Sequence, residues 1–530
     1  MLRKKSNLLF IFFLYLIIVL LFTKIDYRFV EEIPCCQDDH DYYSHSETIA
    51  IDFDLDYSNQ FKGNEKERYF NKNVIAPRGF IGSGLLASPF LFVGNFLEQS
   101  INTGSKIFNY KILFYSLSSI FYFFLSIYLI HISLKQLKIK INLNYLFLLF
   151  MGSGMPYFVF ERYSMTHVYE VFTISLVIYT VVKFYTNDSE INYFSLLIPL
   201  ASILSICVRW VNYHVIFIPF IIKMLFRKKI NNEYKLSNNY LFYLSYIASL
   251  SIFIFLNKAI YGVYTMNPAL VYGNSSKLSS FLNQEFFIII KTIFISMFKI
   301  LFSTEFGIFW FSPILFIGLS FLIYFIFTSK KYNILQYLLI LFIYGIPFST
   351  VILWQSTASS YGFRYLYSLI PIALLIYGKW GLDYENRLVT NYLLYFSIFS
   401  SFSIIFFETS IQTSLSQNIN TFGIDDRFSQ PEYLIGYLKS FTNIEAYLKI
   451  FSTSFLGVIF FKLLFMFFRV STVNNLLSNL NLPVENDDYI TFVRNIEIIS
   501  APQIFIFFLI LFLIVLSFVL LIKKSSYSEL

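Results

Sequence analysis

Charged residues are scarce in this chain: Asp, Glu, Lys and Arg make up 14% of its 530 residues, while 57% are hydrophobic and the mean hydropathy is +0.62. Soluble globular domains carry about 25% charged residues, so the composition excludes an ordinary water-soluble fold. A helix needs about 20 apolar residues to cross a bilayer, and such runs recur along the whole length. The sequence therefore predicts an all-α polytopic membrane protein with about 11 to 13 transmembrane helices.

Cysteine is also rare. The three cysteines, Cys35, Cys36 and Cys207, have no spacing that resembles a zinc site, which excludes metal binding by thiolates. The neighbours Cys35 and Cys36 are either two unpaired thiols or an adjacent-residue disulfide, and neither form assigns a function. The sequence shows no internal repeat of the kind found in many transporters.

The net charge of +8 does not predict a nucleic-acid partner. Lys and Arg are scattered over short loops instead of forming a basic stripe. Orientation in the bilayer explains them better, because basic residues concentrate in cytoplasmic loops. We therefore expect a lipid bilayer, and no nucleic acid, around this protein.

The N-terminus resembles a signal peptide that is not removed. Arg3, Lys4 and Lys5 precede the apolar run 8–22, and no small-residue cleavage site follows. This pattern predicts an uncleaved signal anchor with the N-terminus in the cytoplasm and residues 24–79 outside.

Later apolar runs extend this topology along the chain. Basic residues in 135–140, 227–229 and 330–331 fall on the cytoplasmic side, whereas Lys523 and Lys524 fall outside, against the positive-inside rule. The further predicted spans are 108–133, 143–160, 166–186, 193–209, 211–226, 239–258, 308–328, 332–353, 365–381, 390–409, 446–468 and 503–522.

Four other segments are not expected to cross. Residues 80–98 are rich in Gly and Pro and are expected at the surface or partly inserted, and 285–303 predicts an amphipathic helix lying on the membrane. Segment 410–445 is polar and expected outside, and 469–501 is a second polar stretch.

Carboxylates are concentrated in the first external segment. Residues 24–79 hold twelve Asp or Glu against seven Lys or Arg, and Asp38, Asp39 and Asp41 crowd together. Charges of this density belong in water at the membrane surface. One member of an Asp pair can act as a general base while the other orients a partner group. The alternative is that these are solvated loop charges.

Five short segments, in order over residues 1–382, resemble the GT-C superfamily of membrane glycosyltransferases, in particular bacterial proteins similar to glycosyltransferase family 39 and the lipid A aminoarabinose transferases. The acidic pair followed by Tyr is the first of them. The segments are 38–42, 75–90, 161–167, 304–313 and 360–366. The resemblance implies a GT-C-like catalytic module over 1–382, whose first external loop carries short surface helices, and a C-terminal transmembrane region over 383–530.

The resemblance also implies a reaction: inverting transfer of a sugar from a polyprenyl-phosphate donor to a glycan, lipid or protein acceptor at the outer face of a bacterial inner membrane. Asp38 is then the base and Asp39 its helper. The candidates for binding the departing phosphate are Arg364, Arg78 and Arg162, because guanidinium groups donate paired hydrogen bonds to phosphate. Further pocket candidates are Asp41, Tyr42, His167, Arg209 and Tyr365.

Several alternatives stay open. His167 is either a pocket residue or a helix cap, and Arg209 either lines the cavity or forms a structural ion pair. We expect no cofactor, a divalent metal at Asp38 and Asp39 being the alternative. The rival functions are a flippase or transporter of lipid-linked glycans, an O-antigen polymerase or ligase that uses segment 410–445, and a non-catalytic partner in envelope assembly.

Overall fold

The computed structural model describes most of the chain. The described residues are 2–25, 28–29, 37–61, 69–71, 74–101, 109–186, 193–227, 229–230, 240–267, 271, 281–304, 306–328, 334–354, 361–382, 387–406, 441–442, 444–469, 471–472, 475, 496 and 499–527. Cys35 and Cys36, and most of the predicted segments 410–445 and 469–501, lie outside these residues.

The described residues form an all-α structure, which confirms that part of the predicted fold class. The α-helices are α1 (Leu2–Phe22), α2 (Gln37–Glu47), α3 (Gly82–Ser100), α4 (Tyr110–Gln136), α5 (Leu143–Met151), α6 (His167–Thr186), α7 (Phe194–Val208), α8 (Ile218–Phe226), α9 (Tyr240–Tyr261), α10 (Phe286–Phe302), α11 (Ile308–Phe311), α12 (Pro313–Thr328), α13 (Ile334–Trp354), α14 (Ile370–Tyr377), α15 (Arg387–Phe406), α16 (Ile444–Thr453), α17 (Phe455–Phe467) and α18 (Ala501–Tyr527).

Shorter elements join these helices. They are 3-10 helices at Trp210–Phe217 and Arg364–Leu369, π-helical turns at Thr48–Asp52, Tyr157–Glu161 and Gly378–Leu382, and the antiparallel strands β1 (Tyr69–Asn71) and β2 (Val74–Ile75).

Within the described residues, five helices are long and apolar enough to cross a membrane: α4, α6, α9, α15 and α18 up to Lys524. Other apolar helices, among them α7, α12 and α17, are shorter. Large apolar side chains also face outward, such as Phe287 and Phe327, which are 81% and 84% exposed. These features are consistent with an integral membrane protein.

Several predicted spans are not single helices in the structure. The run 143–160 is divided: α5 ends at Met151, and Gly154 takes a positive φ of 87° before the next turn. The runs 211–226 and 365–381 begin with 3-10 helices, and 446–468 is divided between α16 and α17. Most of the predicted segment 80–98 lies in the helix α3, which continues through Pro89. Proline removes the N–H that would bond the carbonyl four residues earlier, and the Ser88 hydroxyl donates to that carbonyl, of Leu85, at 2.9 Å.

The centre of the bundle is formed by α4 and α6, which pack against each other and are largely buried. The helix α4 also contacts α3 and α18, and α6 contacts α7. Five buried serines lie along α4, and the hydroxyl of Ser116, for example, donates to the Leu113 carbonyl of the same helix. Small side chains of this kind let apolar helices approach closely.

The helix α2, which carries the candidate acids, is fixed at its C-terminal end by His45. Its Nε2 donates to the Gly79 carbonyl at 3.0 Å, and its Nδ1 accepts from the Tyr57 hydroxyl at 2.7 Å. The Tyr261 hydroxyl of α9 donates to the same carbonyl. A neutral imidazole satisfies this arrangement, because one ring nitrogen donates and the other accepts.

Close packing between α2 and α3 predicts that Gly84→Val is destabilising. A Cβ at Gly84 would lie 2.8 Å from the main-chain carbonyl carbon of His45, so the two helices must separate, at about 1–3 kcal/mol or more. The matched control is Gly345→Ala in α13, where a Cβ meets nothing within 4 Å. Thermal unfolding in detergent should show a lower midpoint for the first variant only. Equal midpoints for both variants would contradict the packing.

Stability should also fall in acid because of His45. Burial lowers the pKa of His45 to about 4, whereas an unfolded histidine binds its proton near pH 6.5. The unfolded state therefore holds more protons between these values, and the free energy of unfolding should drop by up to about 3 kcal/mol as pH falls through this window. Unfolding of the wild type and of His45→Gln at several pH values measures the difference. A variant with the same acid sensitivity as the wild type would contradict the assignment.

Candidate functional site

The first part of the site is a buried ion pair that joins α2 to the turn before α6. Arg162 Nη2 donates to Asp39 Oδ2, and the Ser164 hydroxyl donates to Asp39 Oδ1. The Asp39 side chain is fully buried and that of Arg162 is 7% exposed. Asp39 lies in the first turn of α2, where the helix dipole also favours negative charge. Both carboxylate oxygens of Asp39 are therefore engaged by the protein itself.

The neighbouring acid, Asp38, has a different environment. Its side chain is 51% exposed, and its Oδ2 lies 3.9 Å from Nη2 of Arg364, at the outer limit of an ion pair. A contact of this length between partly exposed groups is weak. Asp38 is therefore the member of the pair that a substrate can reach.

A buried polar cluster of His167, Glu170 and Arg209 forms another part of the site. His167 and Glu170 stand three residues apart in the first turn of α6, with Nδ1 and Oε2 3.2 Å apart. Arg209 Nη1 lies 3.6 Å from the same carboxylate oxygen and 2.9 Å from His167 Nδ1. Among the described residues Glu170 Oε1 has no hydrogen-bond partner. The cluster thus retains an unused acceptor.

The ring of Tyr365 lies between the Asp38–Arg364 contact and the buried polar cluster, because it contacts an arginine of each. The Arg209 guanidinium lies 4.2 Å from the centre of its ring, and that of Arg364 lies 5.5 Å from it. Nε of Arg364 is buried and has no hydrogen-bond partner within the described part of the chain. The guanidinium groups of Arg364 and Arg209 can therefore donate hydrogen bonds to an anion that binds beside Asp38.

Two glycines permit the backbone path that places Arg364. Gly154 and Gly362 have φ values of 87° and 70°, a region that side chains with a Cβ rarely adopt. Both abut the buried ring of Tyr367, which a Cβ at Gly154 would approach to 2.8 Å at Cζ. The Tyr367 hydroxyl donates to the Tyr361 carbonyl at 3.0 Å. The turn before Arg364 is therefore held against the break that follows α5.

A further buried arginine, Arg28, supports the turn that carries Arg162. The guanidinium of Arg28 donates to the main-chain carbonyls of Lys24 and Phe160 and lies 4.5 Å from the ring centre of Tyr163. Phe160 and Tyr163 flank Arg162 in the sequence. Arg28 therefore ties the start of the first polar segment to the turn that presents Arg162 to Asp39.

The structure brings together seven of the residues singled out in the sequence: Asp38, Asp39, Arg162, His167, Arg209, Arg364 and Tyr365. Arg78 is placed differently, since it is exposed and precedes Gly79, which contacts His45. His45 follows Asp38 by seven residues, about 10 Å along a helix. Asp41 and Tyr42 are buried on α2.

Sequence reasoning missed Glu170, Ser164 and Arg28. A signal for Glu170 was present, because a carboxylate in an apolar run is costly unless it is paired, and His167 lies three residues before it. Ser164 and Arg28 gave no such signal, since their roles depend on contacts with distant segments.

Within the described residues, no group of three or more His, Cys, Asp or Glu side chains is placed so that it could hold a metal ion. An ion shared by Asp38 and Asp39 would compete with Arg162 and Ser164 for the oxygens of Asp39.

A comparison of the chain with protein-family models, with curated proteins and with solved structures finds no match.

The two neighbouring acids should respond differently to the loss of charge. Asp39→Asn removes one charge of a buried ion pair, and breaking such a pair costs about 3–5 kcal/mol. Asp38→Asn removes a half-exposed charge and should change stability by about 0–1 kcal/mol. Denaturant unfolding of both variants measures the contrast. Equal losses of stability would show that the two environments are not distinct.

Proposed function

We propose that this protein is an inverting membrane glycosyltransferase that transfers a sugar from a polyprenyl-phosphate donor to an acceptor. The observation that carries the proposal is the combination, at one site, of a reachable carboxylate, Asp38, and two guanidinium groups, of Arg364 and Arg209, around Tyr365. A base and an anion-binding group side by side are what such a transfer needs, because a proton is removed and a phosphate is released.

The reaction is assigned to these groups as follows. Asp38 takes the proton of the acceptor hydroxyl or amine. At the same time a lone pair on the acceptor oxygen or nitrogen forms a bond to the anomeric carbon. The bond from that carbon to the phosphate oxygen breaks, and the electron pair leaves with the polyprenyl phosphate. Attack and departure on opposite faces invert the configuration.

Phosphate binding is assigned first to Arg364. Its contact with Asp38 is weak and its Nε is unused within the described residues, so it can turn to an anion without breaking a strong pair. Arg209, in the buried polar cluster, adds a second positive charge near Tyr365. His167 completes this side as a hydrogen-bonding group.

We propose different roles for three other residues. Arg162 is engaged by Asp39, so we assign it to positioning that acid instead of to the phosphate. Asp39 in turn fixes the first turn of α2 and hence Asp38. Arg78 is given no role at the phosphate, because it lies beside the other end of α2.

The proposed topology has about 11 to 13 crossings, a cytoplasmic N-terminus and the site at the outer face of a bacterial inner membrane, within a GT-C-like bundle. The five long apolar helices and the outward-facing apolar side chains support membrane insertion. The basic residues in 135–140, 227–229 and 330–331, which fall on the cytoplasmic side in this topology, support the orientation.

A transporter of lipid-linked glycans is the second candidate. The observation in its favour is the fully buried set of ionisable residues His167, Glu170 and Arg209, since such sets also serve proton relays in transporters. Incubating purified protein in detergent with a polyprenyl-phosphate sugar and an acceptor separates the two functions. A transferase releases polyprenyl phosphate there, and a transporter leaves the donor intact.

Replacing the base should remove transfer and leave the fold intact. Asp38→Asn keeps the shape of the side chain and should lower kcat by about 10²–10⁴-fold, the usual contribution of a general base. The matched control is Asp56→Asn, which neutralises another exposed acid of the same segment. Full activity in Asp38→Asn would exclude Asp38 as the base.

Loss of Arg364 should weaken use of the donor more than use of the acceptor. A charge-assisted hydrogen bond contributes about 1.5–3 kcal/mol, so Arg364→Ala should raise KM for the donor, or lower kcat/KM, by at least about tenfold. Arg364→Lys should recover part of the lost kcat/KM for the donor, because a lysine keeps the charge but not the paired donors. An unchanged donor KM together with a raised acceptor KM would contradict the assignment.

A further inference from the structure

An apolar groove opens between α10, α12 and α13. Its volume is about 740 Å³, and its walls are formed largely by Leu, Ile and Phe side chains. Of its lining residues, Leu282 and Leu341 are 61% and 64% exposed, so the groove is open to the surroundings of the bundle. None of its lining residues in the described part of the chain is charged.

The few polar groups of the groove offer almost nothing to a polar ligand. The Ser349 hydroxyl donates to the Ile346 carbonyl at 2.9 Å, and the Tyr337 hydroxyl to the Ile326 carbonyl at 3.5 Å. The Tyr344 hydroxyl is buried and has no hydrogen-bond partner within the described residues. Among the described lining residues this one hydroxyl is the side-chain group left to bond a polar ligand, so a charged group would lose most of its hydration here without compensation, whereas a hydrocarbon chain has no hydrogen bonds to lose.

Gly345 makes room in the floor of the groove. It lies within α13, where glycine costs about 1 kcal/mol relative to alanine, yet a Cβ added at this position meets nothing within 4 Å. The absence of a side chain is therefore not required by a neighbouring helix of the bundle. It widens the groove instead.

The groove is connected to the polar site through α13. Both 3-10 helices, which begin next to Arg209 and at Arg364, pack against α13. Phe217, at the end of the first of them, stacks on Phe342 with ring centres 5.6 Å apart. Along α13 the groove runs from Tyr337 to Leu353, about 24 Å of helix. The helix that forms its wall thus also packs against the two 3-10 helices that begin after Arg209 and at Arg364.

From this continuity we propose that the groove holds the prenyl chain of the donor, with the phosphate at Arg364. The inference rests on the proposed function, since it names the place of the lipid part of the same substrate. Its physical basis is the match between an apolar groove along one helix and an amphiphile whose anionic head would bind beside the two 3-10 helices that pack against the same helix. Burial of each methylene stabilises the complex by about 0.8 kcal/mol.

The test blocks the groove from within. Gly345→Trp places an indole where space is free, and Leu338→Trp, on the exposed face of the same helix outside the groove, is the matched control. Purified proteins are compared by native mass spectrometry for binding of undecaprenyl phosphate and of dimethylallyl phosphate, which has the same head and almost no chain. Gly345→Leu repeats the test with a smaller side chain in case the indole prevents folding.

The expected result is a loss of at least about tenfold in affinity for undecaprenyl phosphate in Gly345→Trp, with binding of dimethylallyl phosphate unchanged and the control like the wild type. Tyr344→Phe should bind as the wild type does, because a hydrocarbon has no use for the hydroxyl. Undiminished long-chain binding in both Gly345 variants would overturn the proposal, as would a matching loss of phosphatidylglycerol with no preference for the prenyl lipid.

Transfer assays on the same proteins separate the two claims. If the wild type binds undecaprenyl phosphate through the groove but transfers no sugar from its glycosylated form, the groove stands and the proposed function fails. If it transfers sugar and Gly345→Trp keeps the same KM for the long-chain donor, the function stands and the groove proposal fails.

Discussion

The buried pair of Asp39 and Arg162 is the interaction on which the rest of the site depends. It joins residues 123 positions apart and docks the first turn of α2 on the turn that leads into α6. A buried charge is tolerated only when it is paired and hydrogen-bonded, and Ser164 supplies the further bond that Asp39 needs. Because α2 is fixed at one end by this pair and at the other by His45, the position of Asp38 on it is determined.

The same pair divides the work between two adjacent acids. In the sequence Asp38 and Asp39 are equivalent, but successive residues of a helix point about 100° apart. One therefore faces the bundle and is neutralised by Arg162, while the other is half exposed beside Arg364. Arg162 thus compensates the charge of Asp39, and the carboxylate of Asp38 is the one left to accept a proton.

Much of the helical architecture could be predicted from the sequence, because long apolar runs such as those of α4 and α6 have no other stable form in a bilayer. The break after α5 could not, since it depends on a positive φ at Gly154 and on the ring of Tyr367, which reaches it from a distant segment. At the site, residue types pointed to Asp38, Asp39 and Arg364. The sequence does not contain the burial that separates the two acids or the contact that brings Arg162 to Asp39, because both arise only when α2 packs on the bundle.

The central claim is that Asp38, Arg364 and the groove along α13 form one binding site for a polyprenyl-phosphate sugar. Its most direct test is a cryo-electron-microscopy structure of the protein with a non-hydrolysable analogue of that donor. The account predicts phosphate oxygens within hydrogen-bond distance of Arg364, the anomeric carbon facing Asp38 and the prenyl chain along α13. A phosphate bound away from Arg364, with Asp38 turned to bulk water, would contradict it.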